Sequence, residues 1–408
     1  MKVCILTLGC KVNSCESGAI AKQFKNKGFE VAEKLCDADY YVINTCAVTK
    51  EAERKSRETI TKCLKRNEKA KIFVIGCASE NNEQQFRNKS QNVVFVSGNG
   101  NKSAVLDLVA NEQKHPLPLV FEELGNGESA RTRAFIKVQD GCNNFCSYCI
   151  IPYLRGRSRS RDINSVMEEI NSLNNVKEIV LSGINLSDYK GGLINLAEEV
   201  DKAGIRFRFG SLEVNVITED FVNRLKALKH FCPHFHLSLQ SGSNDVLKKM
   251  NRHYTAEKYL QACNLLKKSF PNGNITTDII VGFPTETEAD FNQSVELAKK
   301  AGFGFIHVFP YSKRDGTVAS KMPDLDKKTK ETRAKILMGV RDELKSQFIA
   351  QNLGSTLTVL TEDKEEDLRV GYTENYVKVY LEEDVPENTL VKVKLITPFK
   401  DGVKAIII

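Results

Sequence analysis

The chain has 408 residues, of which 41% are hydrophobic and 27% charged, and its net charge is +7. This length exceeds what one hydrophobic core supports, so two or three domains are expected. The apolar runs are much shorter than the roughly 20 residues that cross a bilayer, which argues against a membrane protein. Because no signal-peptide cleavage site follows the amino terminus, the sequence predicts a cytoplasmic protein with no membrane partner.

Residues 1–111 alternate between strand and helix patterns. Such alternation predicts a doubly wound α/β domain with a parallel sheet, whose loops at the carboxyl ends of the strands are available for a site. Residues 112–130 lose this periodicity and contain two prolines and two glycines, which predicts a linker. The predicted strands of this first domain are Val3–Leu8, Tyr40–Ile43, Ile72–Ile75 and Val93–Val96. Helices are predicted near Glu16–Lys27, Thr49–Lys65, Glu80–Asn88 and Lys102–Asn111.

Residues 131–352 contain a longer series of strand patterns, each followed by a helical pattern. Six such units predict a partial (β/α)6 barrel, with functional residues at the carboxyl ends of its strands. Its last helix is predicted near Lys327–Asn352. The strand candidates are Ala134–Val138, Glu178–Ser182, Arg206–Phe209, Phe235–Leu239, Thr277–Val281 and Phe305–Phe309.

Residues 353–408 change character and show five short β patterns separated by turn residues. They predict a small closed β-barrel, which is either an RNA-binding module or a packing appendage without a ligand. Residues 352–408 carry seven Lys and Arg against eleven Asp and Glu. Electrostatic attraction to a polyanion is therefore expected mostly from the preceding residues.

Three of the twelve cysteines form a C-x3-C-x2-C run directly after the first barrel strand, at Cys142, Cys146 and Cys149. In a reducing cytoplasm such cysteines are better explained by metal or redox roles than by disulfides. Three thiolates in one loop suit an iron–sulfur cluster that keeps one iron open for a small ligand. A zinc site would require a fourth nearby ligand, which this loop lacks.

This run resembles the signature of the radical S-adenosylmethionine (SAM) superfamily. The resemblance implies that the three cysteines hold a reducing [4Fe–4S] cluster whose open iron binds SAM, with Tyr148 near the adenine. Four further residues lie in loops that resemble SAM-contacting segments, although a glycine at a strand end is often only a turn. They are Ser182, Gly183, Glu213 and Gln240.

Cys10, Cys46 and Cys77 each stand at the carboxyl end of a predicted strand of the first domain. Loops at one edge of a parallel sheet can converge, so a second three-thiolate site is geometrically reasonable. From their positions alone, these three cysteines could equally well be ordinary buried residues without a metal. The flanking sequences GCKVN, NTCAV and GCASE resemble the amino-terminal cluster domain of the methylthiotransferase family, which implies a second [4Fe–4S] cluster.

Cys15 departs from the pattern of this family, because relatives usually have a polar or aromatic residue there. It lies five residues after Cys10, so it is a second, disfavoured candidate for a cluster ligand. The remaining cysteines match no cluster motif and are interpreted as structural. They are Cys4, Cys36, Cys63, Cys232 and Cys263.

Four arginines recur at every second position after the cluster loop, at Arg155, Arg157, Arg159 and Arg161. In an extended segment all four would project to one side, where guanidinium groups suit RNA phosphates. The alternative is a solvated basic strip without a specific partner. Two histidines near the fourth barrel strand, His234 and His236, are expected to share a strand face in core or hydrogen-bonding roles.

The likeness to the radical SAM methylthiotransferase family extends over the whole chain, and the last segment resembles a TRAM-type barrel. The run Val138–Arg161 most resembles the branch that modifies N6-threonylcarbamoyladenosine beside the tRNA anticodon. The resemblance implies that one SAM methylates a sulfur on the second cluster. A second SAM is cleaved to a 5′-deoxyadenosyl radical, which takes the hydrogen of adenine C2.

No side chain is predicted to act as an acid–base catalyst in this chemistry, which the two clusters and SAM carry. The expected partners are tRNA, an electron donor of the flavodoxin or ferredoxin type and a source of sulfur, and the chain is expected to be a monomer. Two alternatives keep the chemistry but change the substrate, to isopentenyladenosine in tRNA or to a ribosomal protein. A third alternative is a non-catalytic iron–sulfur protein that binds RNA.

Overall fold

The computed structural model describes residues 1–109, 116–125 and 132–408. The boundaries predicted at residues 111, 112, 130 and 131 lie outside the described residues, as does part of the predicted linker. In the described part, no helix is both long enough and apolar enough to cross a bilayer.

The amino-terminal sheet has five parallel strands in the order β2-β1-β3-β4-β5. The order reverses direction between β1 and β3, which is the position where ligands bind in open α/β sheets. The four predicted strands are present, and a short edge strand is added to them. The strands are β1 (Lys2–Thr7), β2 (Glu30–Ala32), β3 (Tyr40–Thr45), β4 (Lys71–Gly76) and β5 (Val93–Val96).

Helices cover both faces of this sheet, and a separate apolar cluster lies on each face. The first helix begins at Lys11, five residues before the predicted start, because the Asn13 amide is anchored on the carbonyls of Leu8 and Thr45. The pattern predicted near Lys102–Asn111 forms a 3₁₀ turn at Lys102–Asp107, and Asn111 lies outside the described residues. The helices are α1 (Lys11–Asn26), α2 (Lys50–Leu64), α3 (Cys77–Asn81) and α4 (Gln84–Arg87).

The central part forms the expected partial barrel, whose strands are all parallel and split into two sheets, β6-β9-β10 and β11-β12-β13-β14. The six predicted strands are all present, and α1 packs against the edge strand β6. The main strands are β6 (Ala134–Lys137), β9 (Glu178–Ser182), β10 (Arg206–Phe209), β12 (His234–Leu237), β13 (Asn274–Val281) and β14 (Phe305–Pro310). Short strands are β7 (Gln139–Asp140), β8 (Arg159–Ser160) and β11 (Ser211–Leu212).

Helices surround the central strands, and the apolar core lies between the two layers. Four helices begin with a threonine or serine side chain that accepts a backbone N–H of the first turn, namely at Thr218, Ser243, Thr255 and Thr287. The helices are α5 (Ile151–Arg155), α6 (Ile163–Asn171), α7 (Leu193–Asp201), α8 (Glu219–Lys226), α9 (Asn244–Lys249), α10 (Ala256–Ser269), α11 (Glu288–Ala301) and α12 (Lys327–Asn352).

The last five strands close into a small barrel in the order β15-β16-β17-β19-β18. Arginines of β10 tie it to the central strands, since Arg206 donates to the carbonyls of Thr358 and Tyr372. Both Arg206 and Arg208 also pair with the buried Glu178. The strands are β15 (Thr356–Glu365), β16 (Leu368–Thr373), β17 (Lys378–Leu381), β18 (Leu390–Phe399) and β19 (Gly402–Ile407).

Candidate functional site

The structure brings Cys10, Cys46 and Cys77 together at the carboxyl edge of the amino-terminal sheet. They follow the neighbouring strands β1, β3 and β4, and their thiols are close enough to interact electrostatically. Gly9 has a φ of +103°, and a Cβ there would lie 2.8 Å from the Cys46 sulfur. Only glycine therefore fits beside these thiols, which form a donor set that suits an iron–sulfur cluster.

A buried arginine from the central part reaches this set of thiols. The Nε of Arg155 donates to the Cys77 sulfur over 3.3 Å, and its Nη atoms bind Glu16, Asp140 and Asn13 over 2.7 to 3.2 Å. A guanidinium N–H next to a sulfur stabilises a thiolate, and therefore also a cluster held by thiolates. Arg155 thus links the cysteine edge of the first domain to the loop that carries the other cysteine set.

The counter-charges of Arg155 form a buried network between the two domains. Glu16 of α1 is paired with Arg155, Lys102 and Lys137, and Asp140 is paired with Arg155, Lys137 and Arg159. Burial alone would raise the pKa of Glu16, but Arg155, Lys102 and Lys137 hold it well below its usual range. Both carboxylates are therefore charged at neutral pH, and the neighbouring cations stabilise this charged state.

We expect that replacing Arg155 with Met lowers the free energy of unfolding by about 3–5 kcal/mol, because it removes one partner from a buried ionic network. Urea-induced unfolding measures this change. The matched control is Arg157→Met two residues later, since Arg157 is exposed and only lies over the Phe145 ring at 4.4 Å. That variant should lose less than about 1 kcal/mol. Equal losses in both variants would contradict a special role of the buried network.

The second set of cysteines lies on the loop between β7 and α5. The thiols of Cys142, Cys146 and Cys149 interact electrostatically with one another, and burial raises the pKa of Cys142 to about 11 and that of Cys149 to about 12. Binding of iron by these residues would therefore displace protons. The backbone N–H of Asn144 donates to the Cys142 sulfur over 3.5 Å. The donor set again suits a cluster held by three thiolates.

The sequence analysis did not identify Arg252. This residue contacts the second set of cysteines, as Arg155 contacts the first set. Its Nη1 donates to the Cys146 sulfur over 3.3 Å, and its Nη2 pairs with Glu213 at 2.8 Å. Asn144 also donates to Glu213, over 3.2 Å. An isolated arginine beyond a short helix carries no sequence signal, since nothing local shows that it folds back onto a cysteine loop.

A cavity of about 220 Å³ lies between the amino-terminal sheet and the second cysteine loop. Tyr148, Cys149 and Gln240 line it together with Val48 and Thr49 of the loop that follows Cys46. We call it the SAM-side cavity, because it joins three residues that the sequence predicted near the cluster and its ligand. The rest of its wall is part apolar, with Ile150, Ile151, Ile280, Phe309 and Pro310, and part polar, with Asp278, Tyr311 and Ser312.

The other predicted SAM contacts are not among the residues that line this cavity. Ser182 is buried and its hydroxyl donates to the carbonyl of Val180. Gly183 packs closely on Gln139, where a Cβ would come within 2.8 Å of the amide oxygen. Glu213 instead contacts the cysteine loop through Asn144 and Arg252, as described above, so its position favours orienting that loop.

The predicted arginine strip is wrong for three of its four members. Arg155, Arg159 and Arg161 are buried, and each is paired with carboxylates of the protein. The chain is not extended there, because α5 ends at Arg155 and Gly156 turns the backbone with a φ of +78°. Arg157 alone of the four is exposed and available to a phosphate.

Six cysteines lie outside both sets. Cys4, Cys63, Cys232 and Cys263 are buried, and Cys36 is partly buried. Cys15 lines a small cavity of about 30 Å³ with Phe121, Leu124 and Lys137. This cavity lies on the side of α1 that faces residues 121–125, which favours Cys10 over Cys15 as a ligand.

Comparisons with known proteins agree with this geometry. The sequence model of the radical SAM superfamily matches residues 136–298, and that of the uncharacterized protein family UPF0004 matches residues 2–98. The fold is similar to that of the radical S-adenosylmethionine methyltransferase TsrM from Kitasatospora setae. The TM-score is 0.58 over 78% of this chain and 77% of that chain, at 14% identity. At this identity the likeness concerns the fold alone.

Relatives that match nearly end to end are named as methylthiotransferases. The threonylcarbamoyladenosine tRNA methylthiotransferase MtaB of Bacillus subtilis is 37% identical over 97% of this chain and 94% of its own length. The enzyme of the same name from Aquifex aeolicus is 37% identical over 93% of this chain and 96% of its own length. A tRNA-2-methylthio-N(6)-dimethylallyladenosine synthase of Thermodesulfovibrio yellowstonii is 32% identical over 96% of this chain and 95% of its own length. The chain therefore belongs to the radical SAM methylthiotransferase family.

Proposed function

We propose that this chain adds a methylthio group to C2 of N6-threonylcarbamoyladenosine beside the tRNA anticodon. The observation that carries the proposal is the pattern of identities. Three relatives named for that nucleoside are 37% identical over 93 to 97% of the chain. Relatives named for dimethylallyladenosine reach 32% over 96% of the chain, or 36% over 84% of it. The threonylcarbamoyl substrate is thus favoured over the isopentenyl one.

As a member of this family, the chain is a transferase that uses SAM and two [4Fe–4S] clusters. The structure fits these groups, because it offers two sets of three thiols, each with a guanidinium N–H at 3.3 Å from one sulfur. We assign the radical SAM cluster to Cys142, Cys146 and Cys149, and the second cluster to Cys10, Cys46 and Cys77. When bound, these groups supply the radical and sulfur chemistry that side-chain acids and bases cannot supply.

The side chains around the clusters bind, orient and exclude water. Tyr148 and Gln240 would offer a ring and an amide to SAM within the SAM-side cavity, and the apolar part of its wall would limit the access of water. Arg155 and Arg252 each fix one sulfur ligand by donating a hydrogen bond to it. Glu213 binds Asn144 and Arg252 beside the cysteine loop, so we assign it a positioning role there. Ser182 and Gly183 stay proposed SAM contacts.

The remaining parts of the chain would hold the partners. We propose a division into residues 1–111 for the second cluster, 112–130 as linker, 131–352 for radical SAM chemistry and 353–408 as a TRAM-like barrel that binds RNA. Arg157 is the exposed arginine that would contact a tRNA phosphate. An electron donor of the flavodoxin or ferredoxin type and a source of sulfur complete the reaction in the cytoplasm, and the chain would act as a monomer.

Substrate choice tests the proposal directly. The full chain, reconstituted with iron and sulfide, is incubated with SAM, a reductant and anticodon stem–loop RNA that carries threonylcarbamoyladenosine, isopentenyladenosine or unmodified adenosine. We expect methylthio product only from the first RNA, measured by mass spectrometry of the nucleosides. The proposal is overturned if only the isopentenylated RNA, or only a ribosomal protein, is modified.

A further inference from the structure

A second cavity of about 750 Å³ occupies the lumen of the partial barrel. We call it the lumen cavity. Lys11 of α1 and Tyr376 of the last barrel also belong to its wall. The six main strands each contribute at least one side chain to its lining, namely Phe135, Val180, Arg208, His236, Thr276 and His307.

The lumen cavity and the SAM-side cavity lie one after the other along β13. Asn274 and Thr276 line the lumen cavity, whereas Asp278 and Ile280 line the SAM-side cavity. Thr276 and Asp278 are two residues apart, which is about 7 Å along a strand, so a short extended substituent can reach from one cavity into the other. At the boundary, His236 contacts the Asp278 carboxylate at 3.1 Å and the Thr276 hydroxyl at 2.9 Å.

Several buried polar atoms of the lumen wall lack a hydrogen-bond partner among the residues that the structure describes. They are Nη2 of Arg133, Nη1 of Arg208, Nδ1 of His234 and Oδ1 of Asn274, and all four residues line the lumen cavity. Buried polar atoms in folded proteins are almost always paired, since an unpaired one loses its hydration without compensation. All four atoms are buried inside the wall and are not open to the cavity, so a ligand would have to meet other groups of the wall.

The wall of the lumen cavity carries charges of both signs. Three of its cations have carboxylate partners, namely Arg133 with Glu178 and Glu362, Arg208 with Glu178, and Lys378 with Asp401. Lys11 lines the same cavity, and no ion pair within 4.0 Å includes it in the described part of the chain. Burial lowers the pKa of His234 well below its usual range, and the charges of Arg208, His236 and Lys11 lower it further. Because Lys11 lines the cavity without a carboxylate partner, it favours an anionic ligand there.

We propose that the lumen cavity binds the threonylcarbamoyl arm of the substrate nucleoside, and that Lys11 holds its carboxylate. The inference rests on the proposed function, because an amino acid joined through its nitrogen retains a free carboxylate, whereas an isopentenyl group has none. A charge-assisted hydrogen bond from an ammonium suits this group. A tRNA phosphate fits less well, since the lumen is also walled by Phe135, Val180 and Phe305.

The other polar groups of the wall match the rest of the arm. Asp278 can accept from the threonine hydroxyl or from the carbamoyl N–H. The His236–Asp278 contact lies where the arm would join the adenine, between the two cavities. The adenine ring would then stand at the mouth of the SAM-side cavity, with C2 toward the cluster loop and its N6 substituent in the lumen.

The test uses synthetic anticodon stem–loop RNAs that carry either threonylcarbamoyladenosine or its carboxamide, in which the carboxylate becomes an uncharged amide. The reconstituted full-length enzyme should prefer the acid by about tenfold to a hundredfold in kcat/KM, the effect of a charged hydrogen bond. In Lys11→Gln this preference should fall by at least tenfold, with turnover of the carboxamide and iron content unchanged. Lys22→Gln, on the same helix but outside the cavity lining, should keep the preference.

A second variant keeps the test decisive if Lys11→Gln loses iron, because Lys11 follows Cys10. Asn274→Asp preserves the size of the side chain and adds a competing anion to the lumen wall. It should weaken binding of the acid RNA in fluorescence anisotropy by about tenfold, and spare the carboxamide. Equal use of acid and carboxamide by the unaltered enzyme overturns this inference and leaves the proposed function intact. Failure on both RNAs with turnover of isopentenylated RNA overturns the proposed function instead.

Discussion

Replacing Cys142, Cys146 and Cys149 together with alanine should abolish the formation of 5′-deoxyadenosine from SAM. The three thiols lie on one loop beside the SAM-side cavity, and Arg252 donates to the Cys146 sulfur. Without them the cluster that supplies the electron has no protein ligands. The same variant should retain about half of the roughly eight irons that two [4Fe–4S] clusters bring. Anaerobic reconstitution, iron analysis and chromatography of the SAM products measure both effects.

Cys36→Ala is the matched control for this experiment, since Cys36 is partly buried and belongs to neither set. It should leave both iron content and SAM cleavage unchanged. If the triple variant still made 5′-deoxyadenosine, this loop would not hold the cluster that cleaves SAM. A triple variant that lost all its iron would show instead that the two sites do not load independently, which contradicts their placement on separate domains.

The fold was predictable where the sequence repeats a clear period. Helix α12 spans Lys327–Asn352, as its pattern predicted, and the five β patterns after residue 353 close into a barrel. Elements of two or three residues escaped prediction, such as β2 and β7, because a period cannot be recognised in so few residues. The strand order of each sheet also follows from long-range packing and cannot be read from local patterns.

The candidate site was predictable through its cysteines and less so through its charges. Spacing and flanking residues identified both sets of thiols, but the alternation of Arg155 to Arg161 predicted a surface strip. A charged residue is usually exposed, and the partner that buries Arg155 is Glu16, 139 residues earlier in the chain. No local pattern contains that partner. For the same reason no local pattern predicted Arg252 beside Cys146 or Lys11 in the barrel lumen.

Replacing Cys10, Cys46 and Cys77 together with alanine should separate the two halves of the reaction. These thiols belong to the amino-terminal sheet, whereas the loop that carries the other set follows the first barrel strand. SAM cleavage should therefore continue at the loop of Cys142, while methylthio product falls below detection because no sulfur is held for transfer. Mass spectrometry of the RNA nucleosides, alongside assay of 5′-deoxyadenosine, measures this uncoupling.

The control for this uncoupling is Cys15→Ala, because Cys15 lies on the same helix as Lys11 but lines a different small cavity with Phe121 and Leu124. It should keep about eight irons and full product formation. Loss of iron in Cys15→Ala would mean that Cys15 is a ligand. Product formation by the Cys10, Cys46 and Cys77 variant would show that the amino-terminal site does not supply the sulfur.

A change at Arg155 also tests whether sulfur transfer and SAM cleavage occur at different sites, since the Arg155 Nε contacts Cys77 and none of the loop cysteines. If Arg155 acts only in sulfur transfer, Arg155→Lys should lower the formation of methylthio product more than it lowers SAM cleavage.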